Sequence, residues 1–397
     1  TMTIALITDQ HLDGRKGSLV FWEYFKKFYD EIFFPTIEKE GIKQIIDLGD
    51  TFDNRKSIDF NVWSRIRKHY FDRLRDSGIF VHMILGNHCT YYKNTNDINS
   101  PELLLKEYDN IEIYSKPETV MIEDTKILML PWINSQNYEE TMAHINDTSA
   151  EIAMGHLELN GFEVTPGMKM EHGMDPSIFK KFKQVFSGHY HHKSSRGNIT
   201  YLGNPYQMFW NDYKDERGFH LYEPKTNKLK RVKNPFEIFQ KIYYNDSTGS
   251  HLSISPSEFS NSFVKIIVEE KRNYQQFEEL VEKLYEANVI DLKIIETLVE
   301  EDTNEVVDIE VKDTYYVGDR WDVGDIDNRR ESHILSHLKD YEFIDYNRQD
   351  TVLLAKLDKK LKFLDLANEV AHDNTVLLPT AMGAVAVTEQ AIINEAH

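Results

Sequence analysis

The chain has one cysteine, Cys89, in 397 residues. A single thiol excludes any internal disulfide and any zinc site built from several cysteines. No apolar run approaches the ~18–20 residues that span a bilayer, and no basic stretch followed by an apolar core opens the chain, so neither a membrane span nor a signal peptide is expected. Repeats and low-complexity tracts are absent. Hydrophobic residues make up 41% and charged residues 28%, a balance that excludes a disordered or collagen-like chain. A cytoplasmic protein is the expectation (host cytoplasm if phage-encoded), and the length suggests two or three domains.

What is abundant is acid, and it is unevenly placed. Residues 1–250 carry 31 Lys+Arg and 35 Asp+Glu, whereas residues 251–397 carry 15 and 31. A polyanion is therefore expected to meet the first part, and the acidic remainder to solvate itself or meet a basic protein. Most histidines also lie before residue 221.

The hydrophobic pattern predicts strands at Thr3–Thr8, Gln44–Leu48 and Phe80–Leu85, with helices over 18–40 and 60–77 between them. In the first helix, Leu19, Trp22, Phe25, Phe28, Tyr29 and Ile32 have helical spacing. Short strands follow between 110 and 134, then a helix near 137–145 and strands at Glu151–Met154, before SGHYHH, and near 199–203 and 218–223. This alternation predicts an α/β domain over 1–245. The Ser-rich NDSTGSHLSISPSEFSNS reads as a linker. Beyond it, a strand at Phe263–Val268, a helix at 274–287 and a strand at Val289–Glu296 predict a small α+β domain over 246–316. Residues 317–397 are expected to be helical at 331–341 and 354–371, with Ile334, Leu335, Leu338, Leu354, Leu357, Leu361 and Leu364 at helical spacing.

Five motifs stand in order at strand ends: Asp9-Gln10-His11, Gly49-Asp50-x-x-Asp53, Gly86-Asn87-His88, Gly155-His156 and Gly188-His189-Tyr190-His191. Each alone is weak, since GD and GH dipeptides arise by chance. Together they supply carboxylate, imidazole and amide donors suited to a pair of divalent ions, on the rim where open α/β sheets bind ligands. One-residue separations place Asp9 with His11, and His189 with His191, on one face of an extended strand end. The glycines before Asp50, Asn87, His156 and His189 are expected to turn the backbone sharply out of the strand. Asp50 is a candidate bridge between two ions ~3.5–4 Å apart, the separation of two-metal phosphoryl chemistry.

This set, with GDTFDNRKSIDF, GNHCTYYKNTN, GHLELNGF, SGHYHHKS and YLGNPYQMFWND around it, resembles the calcineurin-like metallophosphoesterase superfamily. Within the superfamily it is similar to SbcD-like nuclease subunits of double-strand-break repair complexes, and among these to phage recombination endonuclease small subunits. The resemblance covers roughly residues 2–225. It implies a four-layer α-β-β-α sandwich with a small α+β capping domain and a helical C-terminal tail. It implies two Mn²⁺ ions, with Mg²⁺ possible. One would be held by Asp9, His11, Asp50 and His191, and the other by Asp50, Asn87, His156 and His189. His88 matches the family's catalytic histidine, which contacts the scissile phosphate, and Asp53 supports the geometry without being a ligand. Hydroxide would then attack phosphorus in line. Cys89 departs from the family pattern, which has an acid after GNH; a buried thiol packing under the site is the expectation.

Arg15-Lys16 and Arg55-Lys56 follow motif loops, and Lys93, Lys193 and Arg196 lie on other rim loops, with Tyr91 and Tyr92 beside Lys93. They are candidate contacts to DNA phosphates. The resemblance further implies an SMC-like ATPase subunit bound through the C-terminal helices, and a homodimer. The resulting expectation is a DNA nuclease, exonuclease on duplex ends and endonuclease on single strands. A phosphoesterase on small phosphodiesters or phosphoproteins stays open, as does a scaffold that binds DNA without cutting it.

Overall fold

A computed structural model describes residues 2–299 and 306–309. The strands, in chain order, are β1 (Ile4–Ile7), β2 (Gln44–Asp47), β3 (Phe80–Ile84), β4 (Ile111–Tyr114), β5 (Glu118–Ile122), β6 (Thr125–Leu130) and β7 (Ile152–His156). After the short hairpin of β8 (Glu163–Thr165) and β9 (Met168–Lys169) come β10 (Gln184–Gly188), β11 (Ser194–Arg196), β12 (Ile199–Tyr201), β13 (Arg217–Glu223) and β14 (Lys228–Asn234). Two six-stranded sheets result, ordered β14-β13-β1-β2-β3-β4 and β11-β12-β10-β7-β6-β5.

The sheets face each other. Ile4, Leu6, Ile46, Leu48 and Ile84 from the first and Ile127, Met129, Ile152, Met154 and Phe186 from the second form one buried cluster. Alternate residues face outward, as strand geometry requires. Phe219 of β13 meets Phe28 and Phe33 of the first helical segment. Beyond the second sheet, Leu128, Leu130, Ala153, Val185 and Ile199 pack with Ile145 of the helix Tyr138–Asp147. The unit is a four-layer α-β-β-α sandwich. Strands β1 to β4 run parallel, as do β6, β7 and β10, so their C-terminal ends share one rim.

The first helix differs from its expected face. Leu19–Phe28 runs through a π turn, Tyr29–Phe33, into Phe34–Lys39. The extra residue in that turn rotates the side chains from there on, so Phe33, Phe34 and Ile37 are buried while Ile32 is only half-buried; Leu19, at the start of the helix, is exposed as well. The second helix repeats the device: Phe60–Ile66, capped by the Asp59 carboxylate on the amides of Asn61 and Val62, passes through Arg67–Phe71 into Asp72–Asp76. Both turns place an aromatic pair inward, Tyr29 and Phe33 in one and Tyr70 and Phe71 in the other, and the Tyr29 and Tyr70 rings lie 5.0 Å apart.

The described residues divide into two compact units, with the first break after Gln240 and Asn261–Phe263 counted with the first unit. The second unit holds a sheet of β15 (Phe239–Asn245), β16 (Phe263–Glu270), β17 (Asp291–Val299) and β18 (Val306–Ile309), in that order. Phe277, Leu280 and Leu284 of the helix Tyr274–Glu286 bury against Ile242, Val264, Ile266 and Leu292. The Ser-rich stretch expected as a linker carries two 3-10 turns, Ser250–Ser253 and Pro256–Phe259. Ile254 and Phe259 lie against this core, which makes the stretch part of the unit. The expected helices at 331–341 and 354–371, and all of 317–397, lie outside the described residues.

Candidate metal centre

All five motifs reach the shared rim. Asp9 and His11 follow β1, Asp50 follows β2, and Asn87 and His88 follow β3. From the facing sheet, His156 ends β7, and His189 and His191 follow β10. The first two are not on an extended strand end, as their spacing suggested. Asp9 and His11 have φ of 51° and 41°, in the left-handed region. Backbone bonds hold that shape: the amides of Asp9, His11 and Leu12 donate to the carbonyls of Gly49, Asp50 and Thr51, each at 2.9 Å. The glycines also act differently from expectation. Gly49 turns the chain at φ 104°, but Gly155 stays within β7. Gly86 is required for space, since a Cβ there would stand 2.1 Å from Asp50 Oδ1.

The side chains converge in two clusters. Asp9, His11 and His191 present ligand atoms within 4.8 Å of one another, and so do Asp50, His156 and His189. His11 Nε2 lies 3.2 Å from His191 Nε2 and 3.9 Å from Asp50 Oδ2, so Asp50 borders both clusters. In the second cluster, His156 Nδ1 donates to the Leu48 carbonyl at 2.8 Å, which leaves Nε2 facing Asp50 Oδ2 at 3.2 Å and Asn87 Oδ1 at 3.1 Å. Asn87 Oδ1 also lies 3.0 Å from His189 Nδ1. Carboxylate, amide oxygen and imidazole nitrogen atoms converging on one point offer a cation the ligand types that divalent metals take. The buried donor set therefore fits metal ions, and the rim is a binuclear metal-binding site.

Electrostatics agree. Burial works against charge on His11, yet the Asp53 carboxylate, then Asp50 and Asp9, hold it up at about 9. Burial likewise opposes charge on His156, but Asp50 and Asp9 raise it to about 9. Burial favours a neutral Asp50, and the neighbouring His156, His11 and His88 overcome it, holding the carboxyl well below the usual range. His191 is pushed far down, first by burial and then by the charges of His11 and Arg217, so its lone pair is free.

Asp53 and His88 form a relay beside the clusters. Asp53 Oδ1 lies 3.0 Å from His11 Nδ1, and the Asp53 carbonyl accepts from His88 Nδ1 at 2.8 Å. Both contacts engage Nδ1 and leave Nε2 of each ring for other partners. His88 is part-exposed, and its ring stands edge-on to His11 at 5.0 Å. Although Asp53, His11 and His88 also group closely enough to suggest a third metal cluster, this ion pair and this hydrogen bond account for their nearness.

Several contributors were not read from the sequence. Asp13 is buried and accepts from the amides of Asp53 at 2.6 Å and Asn54 at 3.1 Å, so it shapes the Asp53 loop. Asp47, pushed up to about 7 by burial, accepts from Gln10 Nε2, Thr51 Oγ1 and the Gly49 amide beneath the site. The Trp132 ring lies 5.1 Å from that of His189, tilted by 47°. A lone acid among apolar neighbours was the only signal that could have marked Asp47. Cys89 is fully buried, and burial together with the Asp50 charge pushes its thiol up to about 12, so it packs as a neutral group.

The candidate DNA-contacting cations sit on exposed loops. Arg15 and Lys16 lie on the loop after Asp13, with the Arg15 guanidinium 4.8 Å from the Phe21 ring and 5.4 Å from the Phe209 ring. Arg55 is half-buried and Lys56 exposed, its Nζ 5.8 Å from the Tyr91 ring. Lys93 and Arg196 are exposed and Lys193 is half-buried.

The family model for calcineurin-like phosphoesterases matches residues 2–193. The chain is also 35% identical over 270 residues to Exonuclease subunit 1 of Enterobacteria phage T4, covering 68% of this chain and 78% of that protein. The chain belongs to the calcineurin-like phosphoesterase family. It is a binuclear-metal-dependent phosphoesterase. Solved structures similar to it include a dimetal phosphatase from Danio rerio, at 12% identity and TM-score 0.39, covering 59% of this chain and 97% of that one. The nuclease MPE of Pseudomonas putida is similar at 14% identity and TM-score 0.28, covering 58% and 87%. Among the described residues no helix is long and apolar enough to cross a membrane.

Proposed function

We propose that the chain is the DNA nuclease subunit of an ATP-regulated recombination or repair complex, cutting duplex ends as an exonuclease and single strands as an endonuclease. The observation that carries this is the pair of ligand clusters meeting at Asp50, together with the 35% identity to a phage exonuclease subunit. One ion would be held by Asp9, His11, Asp50 and His191, the other by Asp50, Asn87, His156 and His189. Manganese suits these mixed nitrogen and oxygen donors, with magnesium the alternative. Two such ions, when bound, activate water and neutralise charge developing on the phosphate.

The chain's own residues do the rest. Asp53 orients His11 through Nδ1 and His88 through its carbonyl, and His88 offers Nε2 to the phosphate, protonating the leaving oxygen. Arg15, Lys16, Arg55, Lys56, Lys93 and Lys193 grip backbone phosphates without reading sequence. An SMC-like ATPase subunit docks on the C-terminal region and supplies most of the DNA affinity; the phosphoesterase domains pair as a homodimer, and the complex works in the cytoplasm.

The test is Mn²⁺-dependent cleavage of labelled duplex and single-stranded DNA, with a chromogenic phosphodiester alongside. His88→Ala is expected to lower kcat by ~10²–10⁴-fold while leaving Mn²⁺ binding intact. Turnover of the small diester with no cleavage of DNA, with and without an ATPase partner, overturns the nuclease reading.

A further inference from the structure

The loop carrying His191 is tied to a buried arginine that no motif contains. Arg217 opens β13 and is 4% exposed. Its Nη1 donates to the His191 carbonyl and to Asn204 Oδ1. Its Nη2 donates to Asp212 Oδ1 at 3.0 Å and Asp215 Oδ2 at 2.9 Å. Around this fork the partners hold one another. The Asn204 amide donates to the same His191 carbonyl at 3.1 Å, and His192 Nδ1 lies 2.7 Å from Asp215 Oδ2. Asp212 Oδ2 accepts from the amides of Met208 and Phe209. Residues 191–192 are thereby fastened to 204, 212, 215 and 217 through one guanidinium.

That fastening bears on one ligand cluster alone. His189 is held elsewhere, by its amide on the Asp9 carboxylate at 3.0 Å and its ring beside Trp132. His191, by contrast, presents Nε2 3.2 Å from His11 Nε2, inside the cluster with Asp9, and its backbone is held from the Arg217 side. We propose that Arg217 is a positioning residue for the metal ion at Asp9, His11 and His191, setting that ion's affinity by holding the His191 backbone without touching the ion. A planar five-donor fork can serve a carbonyl, an amide oxygen and two carboxylates together; a lysine ammonium cannot. The inference rests on the ligand assignment above.

The experiment is Mn²⁺ titration calorimetry on the full chain. Wild type is expected to take up two ions. Arg217→Lys keeps the charge between Asp212 and Asp215, and is expected to weaken one ion by ~10–100-fold, the usual effect of removing a residue that supports a ligand, and to leave the other unchanged. His191→Ala is expected to remove that same ion. Combining Arg217→Lys with His191→Ala then adds no further loss, because both act on one site; a general packing role would add. If Arg217→Lys does not fold by circular dichroism, Asp215→Ala releases one arm of the fork and carries the same expectation in weaker form. Two ions bound as in wild type, or both weakened equally, overturns the inference while leaving the ligand assignment standing. Wild type binding fewer than two ions overturns both.

Discussion

Metal uptake should release protons and strengthen as pH rises. In the metal-free site His11 and His156 both titrate at about 9, against ~6.5 for an ordinary histidine. A ligating imidazole must be neutral, so below pH 9 each ion has to expel one proton. Between about pH 7 and 9 this amounts to about tenfold in apparent affinity per pH unit for each ion, or ~1.4 kcal/mol per unit. Mn²⁺ calorimetry across that interval, repeated in buffers of different ionisation enthalpy, reads both the slope and the protons released. Asp53→Asn removes the largest of the interactions that raise His11, so its slope should flatten for one ion only. Stability carries the opposite sign. Both histidines have folded values above their unfolded one, so the metal-free chain holds their full contribution below about pH 6.5 and loses it as pH rises through about 9. Its Tm should therefore drift down over that window, while the Mn²⁺-saturated protein gains. An affinity flat with pH, with no proton release, refutes the reasoning.

Two further outcomes test the geometry. Gly86→Ala places a Cβ 2.1 Å from Asp50 Oδ1 and 2.5 Å from its amide; it should cost ~1–3 kcal/mol of stability and weaken both ions, read by thermal melts and Mn²⁺ titration. Arg55→Glu with Lys56→Glu should weaken DNA binding and lower its salt slope by about 0.9 for each phosphate that the chain no longer neutralises, read by fluorescence anisotropy against NaCl concentration. An unchanged slope removes these two residues from the DNA interface.

The donor residues were legible because the chemistry demands residue types that stand out at strand ends: Asp50, His156 and His191 each follow or end a buried run. How they are aimed was not legible. The one-residue spacing of Asp9 and His11 suggested strand alternation, whereas the loop is left-handed and takes its shape from the carbonyls of Gly49, Asp50 and Thr51, distant in sequence. The buried face of the first helix was misplaced at Ile32 because a π turn leaves no signature in apolar spacing. Arg217 and Asp13 escaped notice since a buried charge is recognisable only once its partners are known, and those partners are distant in sequence or in unremarkable loops. The Ser-rich stretch showed that polar composition does not preclude packing when Ile254 and Phe259 punctuate it.

The order of strands in the first sheet has a consequence for synthesis of the chain. β1 lies between β2 and β13, and pairs antiparallel with residues 220–222. The earliest strand to be made therefore waits on one side for a partner that is translated only after all of the second sheet. The donors divide the same way, with Asp9, His11, Asp50 and Asn87 made early and His156, His189 and His191 made late. A ribosome-bound chain that has not yet exposed β13 leaves one edge of β1 unpaired, and Arg217 is the first residue of that same strand. Each cluster is thus complete only once the second sheet lies against the first, so the metal centre is among the last features of the nascent chain to form.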